Sequence, residues 1–136
     1  MSYAAAYAAI LVVFAAIDAV WLTVMGSRLY RPTLGDILLP DLRIEPAIAF
    51  YLIYPVGILM FGTMAGLRAG SLGPALMYGA LFGFIAYATY DLTNHATLRN
   101  WTLTITMVDM AWGAFVSAIG SAVGYAVLRW FNATPA

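Results

Sequence analysis

The sequence lacks cysteine and lysine and carries few charges of either sign. The absence of cysteine excludes a disulfide framework, a thiolate metal site and a thiol nucleophile. All six basic residues are arginines scattered along the chain, so neither a nucleic-acid-binding surface nor a polybasic patch for anionic lipid is expected. Charged residues make up 9% of the chain, against about 25% in soluble domains. This composition is far outside the range of water-soluble proteins.

Apolar residues dominate what remains and fall into four long runs. Hydrophobic side chains make up 64% of the chain, and a membrane-spanning helix needs about 20 predominantly apolar residues. We predict membrane-spanning helices over residues 3–25, 46–67, 73–94 and 101–130. The first run lacks a basic stretch before it and contains Asp18, which favours a span over a cleaved signal peptide. The sequence thus predicts an all-α membrane protein with a single domain, residues 1–136, formed by a bundle of four transmembrane helices.

The connections between the predicted helices are short, except for one longer loop between helices 1 and 2. This loop covers residues 26–45, and its residues 34–39 can lie at the membrane surface as a short amphipathic turn. Four of the six arginines fall in the first and third connections, and two lie on the opposite side. Because cytoplasmic loops carry an excess of positive residues, the first and third connections are predicted to be cytoplasmic.

Small residues recur at four-residue spacing in the third and fourth predicted helices. The stripes are Ala75, Gly79 and Gly83 in helix 3, and Gly113, Ser117 and Ser121 in helix 4. Such spacing lets helix backbones approach closely in lipid, and we favour packing within one bundle over contacts between copies of the chain. Pro55, in the middle of helix 2, lacks the N–H that would bond the carbonyl of Tyr51, which predicts a kink or a local opening.

Two predicted spans contain one acid each, and antiparallel packing brings these acids to one level. Asp18 lies about 10 Å from the end of helix 1, and Asp109 about 12 Å from the start of helix 4, at 1.5 Å per residue. Both ends face the same side of a four-span protein, as does the end of helix 3, which carries Asp91. Each of the two deep acids is followed three positions later by a tryptophan, Trp21 or Trp112, on the same helical face.

These acids need compensation, because a carboxylate inside a membrane costs a few kcal/mol. Three kinds of compensation are possible: protonation, pairing with Arg28, Arg43 or Arg99, and a bound cation or cationic ligand. Alternatively, the acids only tie the helices together by hydrogen bonds to neighbouring polar side chains. Since interhelical hydrogen bonds contribute about 0.6 kcal/mol on average, we favour a ligand-facing site. The candidate ligand-binding residues are Asp18, Trp21, Tyr51, Tyr54, Tyr87, Asp91, Asn94, Asp109 and Trp112.

No catalytic residues, metal site or cofactor are predicted. A zinc site needs about four ligands and prefers histidine or cysteine, whereas His95 is the single histidine of the chain. The spacing of the acids matches no metal-binding motif, and no second axial ligand for a haem stands out.

Four segments carry a resemblance to a known family. They are IDAVWL (17–22), FYLIYPVG (50–57), YATYDLTNHATLRNW (87–101) and VDMAWG (108–113). Together they resemble the DUF2177 family of bacterial membrane proteins, from the first predicted helix to the fourth. The resemblance implies a multi-pass protein of the bacterial inner membrane and draws attention to Asp18, Asp91, Asn94 and Asp109. It implies no chemistry, because the family is functionally uncharacterised.

Three classes of function fit these observations. The first is a small binding or transport-type bundle with a carboxylate-lined polar pocket for a cation, an amine or a lipid headgroup. The second is an accessory subunit of a larger membrane complex. The third is an intramembrane enzyme acting on a lipid or isoprenoid, with paired carboxylates as acid and base. We rank them in this order, and we expect as partners membrane lipid, a small cationic ligand, and a second copy or another membrane subunit, but no nucleic acid.

Overall fold

The protein consists of four long helices joined by three short connections. The computed structural model describes residues 1–133, which contain no strand. The helices are α1 (Ser2–Ile37), α2 (Ile44–Ala69), α3 (Leu72–Thr97) and α4 (Leu103–Ala133). Each is long and apolar enough to cross a membrane, and large hydrophobic side chains are exposed along all four, which suits contact with lipid tails. The predicted fold class, an all-α membrane protein with four transmembrane helices, is confirmed.

Helix α1 continues well beyond the boundary that the sequence predicts. It is α-helical to Met25, passes through a wider π-helical turn at Gly26–Tyr30, and ends in short α and 3-10 turns at Ile37. The prediction that residues 26–37 belong to a loop is therefore wrong, although the first connection, residues 38–43, is still the longest. The physical reason is that Pro32 is tolerated in the first turn of a new helical segment. Tertiary packing of Leu34 then stabilises that segment.

Helix α2 is α-helical over Ile44–Gly57 and π-helical over Ile58–Thr63, three residues after Pro55. Because proline has no N–H, it interrupts the regular hydrogen bonding of the helix, and the wider turn follows. This turn places Gly62 and Thr63 against α4, where the Thr63 hydroxyl donates to the carbonyl of Ser121 at 3.0 Å.

The small-residue stripes of α3 and α4 face each other inside the chain. A Cβ added to Gly79 would lie 2.2 Å from the hydroxyl oxygen of Ser121, and one added to Gly83 would lie 2.0 Å from the carbonyl oxygen of Gly113. Both distances are far shorter than a van der Waals contact, so the two backbones approach closely only because these positions are glycine. The stripes therefore form packing contacts within one bundle, as predicted.

Two apolar clusters lie on either side of the buried acids. The larger cluster contains Ile10, Phe14, Tyr54, Ile58 and Val116 and fills the middle of the bundle. The smaller cluster consists of Leu34, Trp101 and Ile105, with Leu29 and Tyr30 packed against it. Along α4, the acid at position 109 lies between the residues that belong to the two clusters. The acids are thus enclosed between two layers of hydrophobic packing.

Candidate functional site

Asp18 of α1 is buried and holds three helices together. Its side chain is 5% exposed. One carboxylate oxygen accepts a hydrogen bond from the hydroxyl of Tyr51 on α2, and the other accepts one from Trp112 Nε1 on α4 at 3.0 Å. Because both oxygens have a donor, the two bonds satisfy the carboxylate and fix α1 against its neighbours.

Asp109 of α4 is bonded by a residue that the sequence places in a loop. Its side chain is 7% exposed, and its Oδ1 accepts a hydrogen bond from the hydroxyl of Tyr30. The Tyr30 oxygen in turn accepts a bond from Trp21 Nε1 at 3.2 Å. The extension of α1 therefore reaches back into the bundle and contacts the acid directly.

The two Asp-x-x-Trp pairs exchange their tryptophans. Trp112 donates to Asp18, whereas Trp21 is connected through Tyr30 to Asp109. The two indole rings stack with centroids 4.2 Å apart and an interplanar angle of 6°. The short repeat seen in the sequence thus corresponds to a reciprocal arrangement. The tryptophan of each pair is hydrogen-bonded to the acid of the other pair, directly for Trp112 and through Tyr30 for Trp21.

Asp91 of α3 is the acid without a donor. Its side chain is fully buried, and neither carboxylate oxygen accepts a hydrogen bond from a described residue. It lies close enough to Asp109 for the two carboxyl groups to interact directly. Since ionised carboxylates only accept hydrogen bonds, a bond between the two forms only when one of them is protonated. Asp91 is therefore the buried charge whose compensation the protein side chains do not supply.

Pairing with arginine does not compensate these acids. Arg28, Arg43 and Arg99 are exposed, and within residues 1–133 no ion pair joins an arginine to any of the three buried carboxyl groups. Of the three kinds of compensation that the sequence leaves open, the structure thus leaves protonation and a bound cation for Asp91. Asp18 needs neither a proton nor a cation, because hydrogen bonds from aromatic side chains stabilise its carboxylate.

The remaining candidate residues lie around this cluster with different roles. Tyr54 bonds the Ser117 hydroxyl at 2.8 Å and packs in the larger apolar cluster. Tyr87 lies over Gly113, where an added Cβ would meet its ring at 2.3 Å, and it interacts electrostatically with both outer-helix acids. Asn94 is half-buried about one turn after Asp91 and interacts with Tyr90. The structure thus brings the acids together with Trp21, Tyr51, Tyr87 and Trp112. Tyr54 belongs to the apolar core, and Asn94 lies about one turn beyond Asp91.

A cover lies over the acids on the side of the first and third connections. Leu34, at the end of α1, is buried against Trp101 of the third connection and Ile105 at the start of α4. The ring of Trp101 also contacts Tyr90 edge-on, with centroids 5.5 Å apart, and its Nε1 is buried without a hydrogen-bond partner. Residues 26–37 therefore separate Asp91 and Asp109 from the membrane surface.

Two shallow hollows on the described part of the chain lie away from the acids. One runs along α1 at Ala19, Val20, Thr23 and Val24. The other is lined by Tyr3, Leu59, Met60, Met64 and Arg68, near the opposite end of the bundle. Neither is lined by an acidic residue, so a polar pocket around the acids stays a prediction. Within residues 1–133, no three potential metal ligands of the His, Cys, Asp or Glu type form a group that could hold a metal ion.

Sequence reasoning missed Tyr30 because of the wide turn that precedes it. In a regular α-helix of 3.6 residues per turn, Trp21 and Tyr30 are about 900° apart and point to opposite sides. The π-helical turn at Gly26–Tyr30 changes this phase and lets the tyrosine hydroxyl reach the tryptophan and Asp109. The sequence carries no separate signal for that turn. The direct contact between Asp91 and Asp109 likewise depends on the orientation of two helices and not on spacing.

Comparisons with known proteins support the resemblance seen in the sequence. The family model described as "Predicted membrane protein (DUF2177)" matches residues 3–126, which run from α1 into α4 and include every candidate residue. No curated protein matches the chain. No solved structure matches it either. Because the family model covers most of its length, the chain belongs to the DUF2177 family of predicted membrane proteins.

Proposed function

We propose that the protein binds a small cation at Asp91 and Asp109, beneath the cover formed by residues 26–37. The observation that carries this proposal is the state of Asp91, which is fully buried and receives no hydrogen bond on either carboxylate oxygen. A buried charge without a partner is costly, and buried carboxylates are normally paired or coordinate a cation. A cation between Asp91 and Asp109 would supply the missing positive charge.

The three acids have different roles under this proposal. Asp18 has a donor on each oxygen and serves the packing of the helices. Asp109 has one donor, from Tyr30, and Asp91 has none. The free acceptor capacity is therefore concentrated where α3 meets α4. Carboxylate oxygens suit hard cations such as Na⁺, and they also suit the ammonium group of a primary amine.

A small cation fits this packing better than a lipid headgroup. The acids lie between two apolar clusters, and the surface hollows are lined by other residues. A headgroup would need a space of several atoms, whereas Na⁺ or a methylammonium ion needs little more than the gap between two carboxyl groups. The alternative of an accessory subunit loses its main support, because the small-residue stripes are used inside the chain. Among residues 1–133, no contact specifically favours an intramembrane enzyme.

The test is thermal unfolding of the purified protein in detergent with NaCl, KCl or methylammonium chloride. The reference is N-methylglucamine chloride at equal ionic strength, whose cation is too bulky for the site. A ligand present at about 100 times its Kd stabilises the folded state by about 2.7 kcal/mol. We expect at least one small cation to raise the Tm of the wild-type protein, and we expect Asp91→Asn to lose this rise.

A matched control is Asp36→Asn, which removes an exposed acid from the end of α1 and should keep the full rise in Tm. An equal rise in wild type and Asp91→Asn, or no rise with any of the three cations, contradicts the proposal. If Asp91→Asn behaves as an aggregate in detergent, a conservative Asp91→Glu variant replaces it, with a changed preference among the three cations as the expected result.

We further propose that the protein lies in a bacterial cytoplasmic membrane with the connections 38–43 and 98–102 toward the cytoplasm. Two exposed arginines, Arg43 and Arg99, lie within these connections, and two more, Arg28 and Arg31, lie on the end of α1 that leads into the first of them. The excess of positive charge favours the cytoplasmic side for this end of the bundle. In this orientation the end of the bundle that holds the buried acids faces the cytoplasm.

A further inference from the structure

Asp91 lies in a position where an ionised carboxylate has no favourable interaction. It precedes the end of α3 at Thr97 by six residues, or about 9 Å along the helix axis. Its side chain is fully buried, and neither oxygen has a donor. A lone charge in such surroundings costs several kcal/mol even after the structure relaxes. In a membrane protein this cost persists unless the charge is removed or paired.

The nearest group makes the cost of ionisation larger. Asp109 interacts directly with Asp91, and two like charges so close together repel each other strongly where little water screens them. One proton placed between the two carboxyl groups removes this repulsion. It also gives Asp91 a hydrogen bond, which its oxygens otherwise lack among the described residues. Carboxyl pairs in enzymes hold one proton in common for this same reason.

The titratable groups around the pair add no positive charge. Those that interact with Asp91 or Asp109 are Asp18 and Tyr30 of α1 and Tyr87 and Tyr90 of α3. Tyr51 and Tyr54 of α2 are bonded instead to Asp18 and Ser117. The arginines and His95 are exposed. Tyrosine hydroxyls are neutral donors near neutral pH, and one of them, that of Tyr30, is already bonded to Asp109 Oδ1. The surroundings therefore favour a pair with the lowest total negative charge.

We propose that Asp91 and Asp109 share one proton at neutral pH. The proton resides on Asp91, which then donates a hydrogen bond to the Asp109 carboxylate, while Asp109 keeps its bond from Tyr30. This assignment gives every carboxyl group of the cluster at least one hydrogen bond. It also leaves the pair with one negative charge and the Asp18 carboxylate with its two donors.

Exchange of this proton for the cation rests on the proposed function. When a monovalent cation enters, the O–H bond of Asp91 breaks, the proton passes to water, and both carboxylates coordinate the cation. One positive charge replaces another, so the charge of the site does not change. Cation binding is then coupled to the release of one proton.

Infrared spectroscopy of the protein in N-methylglucamine buffer at neutral pH tests the shared proton. Six side chains of the protein are acidic; Asp36, Asp41 and Glu45 are exposed, and the other three are buried. A protonated-carboxyl C=O band that shifts in D₂O is assigned to one acid by its loss in the variant of that acid. We expect this band in the wild-type protein, its loss in Asp91→Asn, and its retention in the control variant Asp18→Asn.

Absence of the band from the wild-type protein overturns the proposal, and so does an equal band in Asp91→Asn. If Asp91→Asn fails to fold, Asp91→Glu replaces it, and a band that keeps the wild-type frequency in that variant overturns the proposal. Addition of NaCl to the same sample in weak buffer, with a pH electrode, then separates the two proposals. A band without proton release on adding NaCl, KCl or methylammonium chloride leaves the shared proton standing and contradicts cation binding. Loss of the band together with release of one proton per chain supports both.

Discussion

Replacement of Gly83 by alanine tests the close contact that holds Asp91 opposite Asp109. A Cβ at this position would lie 2.0 Å from the carbonyl oxygen of Gly113, whereas a carbon and a carbonyl oxygen normally stay about 3.3–3.6 Å apart. The helices α3 and α4 must therefore separate locally by about 1.3–1.6 Å. Because the obstructing atom belongs to the backbone, no side-chain rotation relieves the clash.

The expected cost of Gly83→Ala is at the upper end of the range for overpacked cores, about 2–3 kcal/mol. Gly73→Ala is the matched control on the same helix, since a Cβ there meets no atom within 4 Å. It should be neutral or slightly stabilising, because alanine favours a helix over glycine. Unfolding followed by circular dichroism in detergent gives both values. Equal stability of the two variants would refute the close α3–α4 contact.

The same variant also links the fold to the site. Asp91 follows Gly83 by eight residues on α3, so separation of the helices at the glycine also moves Asp91 away from Asp109. We therefore expect Gly83→Ala to weaken the cation-dependent rise in Tm, whereas Gly73→Ala keeps it. A folded Gly83→Ala protein with an unchanged response to cations would show that the α3–α4 distance does not control the site.

Two further predictions address the hydrogen bonds of Asp18 and the orientation of the chain. Tyr51→Phe removes a donor to the Asp18 carboxylate and should cost about 1–2 kcal/mol. Tyr78→Phe, on the exposed face of α3, should cost nothing measurable by the same unfolding assay, and equal losses would contradict the bond. The absence of cysteine allows single-cysteine labelling: in intact spheroplasts an impermeant maleimide should modify Ser71→Cys, and should modify Asp41→Cys only after permeabilisation. The opposite pattern would reverse the proposed orientation.

The apolar runs predict the four helices because a span must satisfy its backbone hydrogen bonds internally and requires about 20 apolar residues. The main difference concerns α1, where the sequence predicts a loop that begins at Gly26. Glycine and proline mark breaks when local preference decides the structure. Here the burial of Leu34 against Trp101 outweighs that preference and extends the helix to Ile37.

The site was predictable only where antiparallel geometry determines it. The level shared by the two Asp-x-x-Trp pairs follows from counting residues along antiparallel helices, and Trp112 does contact Asp18. The bond from Tyr30 to Asp109 depends on a π-helical turn, which changes which side of a helix faces the bundle. Residue spacing carries no information about that change. Nor does it show that the arginines point outward, which requires the orientation of each side chain.

Asp18 and Asp91 differ in their hydrogen-bond donors, and this difference distinguishes an acid that stabilises the bundle from one whose presence packing does not explain. Asp18 contributes to packing in a way that its surroundings explain, because each oxygen has a donor from another helix. Asp91 makes no comparable contribution, since its oxygens are buried without donors. An apolar side chain of similar size would avoid the cost of desolvating a carboxyl group, and replacing buried ionic groups in this way is often neutral or stabilising. Packing alone therefore gives no reason for an acid at this position, whereas a proton or cation held between Asp91 and Asp109 does.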